Sequence, residues 1–539
     1  MPLKKLQQKA GVNRENTRYT NENGYYVSDK VRFRQGTPEK IGGWVRISPN
    51  SFLGICRSLW NWVTLGGANL LGVGTNLKFY IEDDGTDIYN DITPIRSTET
   101  LGTDPFAGDG TTTVTVTDIA HGGITGDFVT FSGATGTYAS TFNAEFQITV
   151  LTGDTYTITT ATAITAGSYG GSAVVAEYQI NVGSEYATPL GGWGAGPWSG
   201  GAWGIGSTSP DPMRLWAQSN FGENLVFGYR GGPIYYWDNA LGLTTRGQLV
   251  SSLGGAVTFT AASPTVVTST VAFSEGTVLQ FNTTGSMPSG VTAGVDYYVT
   301  DVEGVTFKLL TSAGAAVNAG TTGSSVYISN IVDVPVVQNY LTVSDASRFV
   351  FAFGTNDYGS TTQNQMLLRW SDQENILQWT PNATNQAGSL LLSHGSKIVT
   401  ALQTRQEIVV FTDSSLYSLQ YQGPPVVWGS QLLGDNISIA GPNAAAIGSG
   451  VIYWMGVDKF YKYDGRIQTL RCDLRKFIYD DINLDQSEQF FASTNEGFNE
   501  VWFFYCSAGS NNVNKYVIYN YQEEPDFVKA FVSTCKKLF

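Results

Sequence analysis

EIVVFTDSSLYSLQYQGPP (residues 407–425) and GVIYWMGVDKFYKYDGR (residues 450–466) decide the fold class. Each half is an apolar strand, a short polar turn and an aromatic strand that ends at another turn. Ile408 to Phe411 turns at Thr412 to Ser415 into Leu416 to Tyr421. Val451 to Met455 turns at Gly456 to Lys459 into Phe460 to Tyr463. Short β-branched and aromatic runs bounded by Gly, Asp and Ser are the pattern of paired strands. Similar units recur at residues 69–82, 224–238, 348–370 and 501–521, so six are expected in all. A hairpin that cannot bury both faces alone, repeated along a chain, points to radial stacking. The expected fold is all-β: a β-propeller of about six blades.

Composition agrees with this. Charged residues make up 14% of 539, against about 25% in ordinary soluble domains. Helix bundles need Lys and Glu on their outer faces, whereas strands joined by Gly- and Thr-rich turns do not. The length predicts several domains. Residues 103–180 and 254–331 are rich in Thr, Gly and Val and poor in Lys and Arg. They read as two small inserted β domains of one design: GDFVTFSGA at 126–134 parallels GTVLQFNTTG at 276–285. The body would then comprise residues 51–102, 181–253 (Gly/Trp loop and further propeller) and 332–522. An arm with closing strands occupies 1–50 and a tail 523–539. Strands within 25–47 are expected to close the ring, and residues 473–491 are the best helix candidate.

Charge is unevenly spread. Residues 1–50 hold ten Lys and Arg against four acids, and the rest of the chain holds 21 against 41. An acidic body is unsuited to gripping phosphate, which takes clustered Lys and Arg. Arg14, Arg18, Arg32 and Arg34 of the basic arm are candidates for docking on an acidic neighbour. Trp193, Trp198 and Trp203, spaced by five among glycines, are candidates for packing on this chain or on a partner.

Chemistry is sparse. The two histidines, His121 and His394, lie in different parts of the chain and lack evident partners. Adjacent acids such as Asp83-Asp84 and Asp480-Asp481 splay into water, whereas glycosidases face two carboxylates across a sugar. There is no phosphate-binding Gly-x-x-x-x-Gly-Lys loop. Cys56, Cys472, Cys506 and Cys535 show no metal-ligand spacing and read as buried thiols in a reducing compartment. No signal peptide and no membrane span are expected. Neither a catalytic residue, nor a metal ligand, nor a cofactor is expected, and the protein reads as a non-enzyme.

Several stretches resemble the tail nozzle (tail tubular protein B) family of short-tailed bacteriophages: GVNRENTRYT at 11–20, KVRFRQGTPEKIGGW at 30–44, the Gly/Trp loop at 191–206, RLWAQSNFGENLVF at 214–227, RWSDQENILQWTP at 369–381 and FIYDDINLDQ at 477–486. The resemblance implies a structural virion protein of the tail, assembled in the host bacterial cytoplasm. It implies a homo-hexameric ring below the portal and tail adaptor protein, with tail fibre proteins attached outside. Genomic DNA would pass through its lumen during ejection without sequence-specific binding, and an acidic lumen would let it slide. The alternative expectation is a receptor- or glycan-binding propeller module of a phage tail.

Overall fold

The computed structural model describes residues 9–43, 45, 48–83, 85–187 and 213–522. The chain is all-β, built from many small antiparallel sheets. Six of them are simple meanders that follow one another along the chain. Sheet I comprises Cys56–Val63, Asn69–Thr75, Phe79–Asp83 and Tyr89–Asp91; sheet II comprises Trp216–Phe221, Asn224–Tyr229, Tyr235–Trp237 and Gln248–Leu249. Sheet III comprises Tyr340–Val343, Val350–Phe353, Leu367–Trp370 and Gly388–Leu391, and sheet IV Ile398–Gln403, Ile408–Thr412, Ser415–Gly423 and Val427–Asp435. Sheet V comprises Ala445–Gly448, Val451–Met455, Phe460–Tyr463 and Ile467–Leu470, and sheet VI only Phe491–Asn495, Glu500–Tyr505 and Lys515–Asn520.

Local sequence explains the hairpins. In sheet II, Phe221 pairs directly with Asn224, leaving a two-residue loop. Gly222 opens that loop at φ +67°, the left-handed conformation such tight turns demand and glycine adopts without strain.

Apart from the joint between sheets IV and V, successive meanders meet through their first strands. Trp216–Phe221 packs against both Cys56–Val63 and Tyr340–Val343. Tyr340–Val343 also packs against Ile398–Gln403, and Ala445–Gly448 against Phe491–Asn495. Aromatic pairs fasten most of the joints, each supplying large apolar area and a preferred ring geometry. Phe79 of sheet I stacks on Phe227 of sheet II at 4.4 Å. Phe351 of sheet III meets Trp428 of sheet IV edge-on at 4.9 Å. Phe411 of sheet IV meets Trp454 of sheet V at 5.3 Å, and Phe460 of sheet V meets Phe503 of sheet VI at 5.1 Å. Between sheets I and II the fit leaves no room for a side chain at Gly74: a Cβ there would lie 2.6 Å from the Trp216 ring. Gly74→Val should therefore destabilise the protein by about 1–3 kcal/mol, by overpacking this joint. Equilibrium denaturation measures this, and an unchanged midpoint would contradict the described packing.

Two segments leave this series, and both make the same pairings. In the first, Thr113–Thr117 pairs with Phe106–Gly108 and with Thr155–Thr159; in the second, Val266–Thr268 pairs with Thr258–Phe259 and with Thr306–Thr311. Phe128–Ser132 pairs with Glu145–Gln147 and Val175–Gln179, just as Val278–Ser286 pairs with Tyr297–Glu303 and Ser324–Ile331. The first segment includes Ile95–Thr100, which pairs with Val175–Gln179, so its sheet starts earlier than residue 103.

Two further expectations are corrected. Val31–Arg34 and Thr37–Lys40 pair with each other and do not form a closing strand of sheet VI. Their attachment to the body is by side chains. The helix expected over 473–491 is a five-residue α-helix, Arg475–Tyr479, and a 3₁₀ turn, Leu484–Gln489. Between them Ile482 bridges to Ser507 and the Asn483 amide donates to the Cys506 carbonyl, so tertiary pairing takes the backbone groups a longer helix would need.

Candidate functional site

The arginines of the arm are engaged within the chain. Arg14 donates to the Tyr26 carbonyl and lies 4.0 Å over the Phe477 ring, and Arg18 lies over Tyr26 at 4.9 Å. Arg32 forms a two-pronged ion pair with Glu500 at 3.0 and 3.1 Å and stacks 3.5 Å over Phe498, while Arg34 approaches that ring at 6.0 Å. Glu500 also accepts from the Trp502 indole at 2.9 Å. Burial pushes the Glu500 carboxyl up, and Trp502 and Arg32 offset only part of that. Trp193, Trp198 and Trp203 lie outside the described residues.

Both inserted segments are stitched to the body by polar networks. For the first, buried Lys78 of the body binds Asp91 at 2.7 Å and also Glu145 of the insert. Arg246 joins Asp91 at 2.7 Å, and Gln179 donates to Glu145 at 2.6 Å. Burial works against ionising Asp91, but Arg246 and Lys78 outweigh it and hold the carboxyl below its ordinary range. The second insert rests on the stretch at 369–381: Asn375 donates to Ser274 at 2.8 Å and Gln378 to the Glu275 carbonyl at 3.2 Å, while fully buried Arg369 braces that stretch within the body by donating to the carbonyls of Asn356 and Asp333.

A further polar cluster of the first insert lies at the end of its two sheets. A groove of about 450 Å³ runs there, lined by residues 99–105 and 117–119. Glu99 and Asp118 both line it, and the Tyr178 hydroxyl donates to Asp118. Tyr156 and Tyr178 share a hydrogen bond of 2.7 Å. Because the Tyr178 proton goes to Asp118, Tyr156 is the donor in that pair. Burial drives both phenols far above their ordinary range, so they stay protonated. His121 is buried against both rings. Its Nδ1 accepts from the Gly123 amide at 3.0 Å and its Nε2 lies 3.2 Å from the Thr152 carbonyl, which fits a neutral ring protonated at Nε2.

His394, by contrast, is exposed beside Ser393 and Tyr417. Cys472 and Cys506 are buried free thiols and Cys56 is half-buried. Among the described residues no group of three His, Cys, Asp or Glu is placed to hold a metal ion, and no helix is long and apolar enough to cross a membrane. The sequence reading missed the Glu99–Asp118 pair because the two residues belong to different sheets and are 19 positions apart.

No protein-family model matches the chain, and no curated protein matches it. Solved structures that align with it include an endosialidase of phage phi92, at 9% identity over 93% of this chain and 61% of the other, with a TM-score of 0.20. An apocarotenoid oxygenase of Synechocystis aligns at 8% identity over 82% and 92% of the two chains, with a TM-score of 0.25. A PQQ-bound aldose sugar dehydrogenase from Streptomyces coelicolor aligns at 13% identity over 54% and 87%, with a TM-score of 0.20. The chain thus spans about three-fifths of the endosialidase, and likenesses this slight assign it neither a family nor an activity.

Proposed function

We propose that the six meanders stand around one axis as a six-bladed propeller, and that the chain is a structural subunit of a short-tailed phage tail nozzle. In this reading six copies form a ring below the portal and adaptor. Its lumen conducts DNA during ejection, and fibres attach outside. The observation that carries the reading is where the nozzle-like stretches fall. KVRFR at 30–34 places Arg32 on Glu500, RWSDQENILQWTP at 369–381 seats the second insert, and FIYDD at 477–481 receives Arg14. They are mechanical joints, which suits a passive conduit. The serial packing of first strands supports the propeller arrangement.

Native mass spectrometry and negative-stain imaging of the purified protein, alone and with portal and adaptor, test this. A six-membered ring with an axial opening is expected. A persistent monomer at about 10 µM that ignores the adaptor would overturn the assembly, since obligate rings of large interface hold together far below that concentration.

A receptor- or glycan-binding role is the second reading, favoured by the open groove on the first insert. Retention on a glycan array, lost when the groove is blocked by Ile119→Trp, would support it over a purely mechanical part.

A further inference from the structure

The two inserts are one module used twice. Tyr156 pairs with Val116 as Phe307 pairs with Val267. Val129 lies between Phe146 and Tyr178 as Leu279 lies between Tyr297 and Ile331. The Gly126 amide donates to the Ile148 carbonyl and the Gly276 amide to the Val299 carbonyl, both at 2.9 Å. Phe106 meets Phe131 edge-on at 5.0 Å, and Phe259 meets Phe281 edge-on at 5.3 Å. This register equates Phe128 with Val278, Gln147 with Tyr298 and Glu145 with Asp296.

In the first insert these positions grip a cation of the body. The Lys78 ammonium lies 4.3 Å over the Phe128 ring and pairs with Glu145, which also accepts from Gln179 at 2.6 Å. The second insert keeps the same chemistry on an open face. Its aromatic has crossed to the neighbouring strand: Phe128 opposes Gln147, and Val278 opposes Tyr298 in the matching pair, whose side chains are near neighbours. Tyr298 is 36% exposed and Val295 beside it 45%. Asp296 is half-buried and accepts from the Gln280 side-chain amide at 2.7 Å. Among the described residues no Lys or Arg pairs with it. The body brings no lysine here. Sheet I has Asn76-Leu77-Lys78 before its third strand, and sheet II has Gly232-Pro233-Ile234. The second insert is attached instead through Ser274 and Glu275.

We propose that the Tyr298–Asp296 face of the second insert receives a lysine from another copy of this chain, carried by the arm hairpin Val31–Arg34 and Thr37–Lys40. Charge complementarity selects this occupant. Cations of the body pair within their own chain: Lys308 with Asp301 at 3.0 Å, Arg230 with Glu488 at 3.4 Å and Arg348 with Glu374 at 3.7 Å. On the arm, Arg14, Arg18 and Arg32 lie over rings of their own chain. Lys30 and Lys40 are exposed, and neither has an ion-pair partner among the described residues. Val31 pairs with Lys40 and the Ile41 amide donates to the Lys30 carbonyl, so both lysines stand at the open end of the hairpin.

A cation over an aromatic face with a carboxylate beside it is held by two attractions at once. A single exposed ion pair adds little affinity, but it fixes which surfaces meet and in what orientation. The contact joins the arm of one copy to the insert of the next. That is a head-to-tail arrangement, the kind that closes into a ring. It rests on the reading of the chain as a self-assembling subunit and names the surfaces that lock neighbours together.

Sedimentation velocity of the full chain from about 0.5 to 50 µM tests this. Asp296→Lys should raise the concentration of half-assembly by about tenfold, because like charges then face each other. Lys30→Glu with Lys40→Glu should do the same. The three changes combined restore opposite charges and should return assembly to near the parent level. The loss should also deepen in the parent as salt is raised from about 0.15 to 0.5 M. Because Asp296 holds no ion pair within its chain, Asp296→Lys should unfold at the parent's urea midpoint, which separates a lost contact from a damaged fold. Assembly untouched by Asp296→Lys, or not recovered in the combined variant, would overturn the contact and leave the ring reading standing. A parent chain that stays monomeric throughout would overturn both. If Asp296→Lys spared self-assembly and abolished binding of purified adaptor, the face would serve a different protein, and docking between copies would be overturned.

Discussion

Arg32→Met is expected to cost about 3–5 kcal/mol, because it strands the Glu500 carboxylate in a buried site where desolvation is already the dominant influence. The arm would lose its stacking on Phe498 as well. Arg32→Met combined with Glu500→Gln should recover most of the loss. The pair is then replaced by a neutral group, and the glutamine oxygen still accepts from the Trp502 indole. The deficit of the single variant should also shrink as the pH is lowered, since a protonated Glu500 is far easier to bury than an ionised one. Denaturant dependence of exchange at the Glu500–Tyr505 amides reads all three effects. If the single and double variants were equally unstable, the ion pair would not be the source of the loss.

The second large effect is expected at Phe79. Its ring is fully buried between sheets I and II, 4.4 Å from Phe227 and 4.9 Å from Trp216. Phe79→Ala should destabilise by about 3–5 kcal/mol through lost burial and the cavity left behind. Tyr19→Ala, at a side chain 94% exposed, should stay within about 0.5 kcal/mol of the parent. Urea titrations of the two variants give the contrast directly. Equal midpoints would mean that the joint between sheets I and II does not carry the load assigned to it.

Much of this architecture was legible before any coordinates. Five of the six hairpins read from the sequence are the two middle strands of four-stranded meanders, and the sixth is the second and third strands of sheet VI; in all of them the sequence runs continuously apolar and aromatic, as in IVVF and VIYWM. Some outer strands were missed for the same physical reason inverted. Gln248–Leu249 and Gly388–Leu391 are short and half-exposed, so they carry little hydrophobic signal. The parallel between the inserts showed in matching turns and strands, but the register that equates Tyr156 with Phe307 needed the pairings. Side-chain joints were the least legible. Nothing local to Arg32 indicates an acceptor 468 positions away, and nothing near Glu99 names Asp118.

The joint between the beginning and the end of the chain has a consequence for biosynthesis. Asn13 binds Asp473, and the amides of Arg14 and Glu15 share the Asp473 carbonyl, across 460 residues of sequence. At about 5–20 residues per second, a ribosome needs roughly 20–90 s to deliver that partner. Both inserts, whose pairings are all local, have time to fold while the arm waits. The arm thus leaves the ribosome some 460 residues ahead of the partner that seats it, and its arginines and aromatics are a natural client for a chaperone until Asp473 emerges.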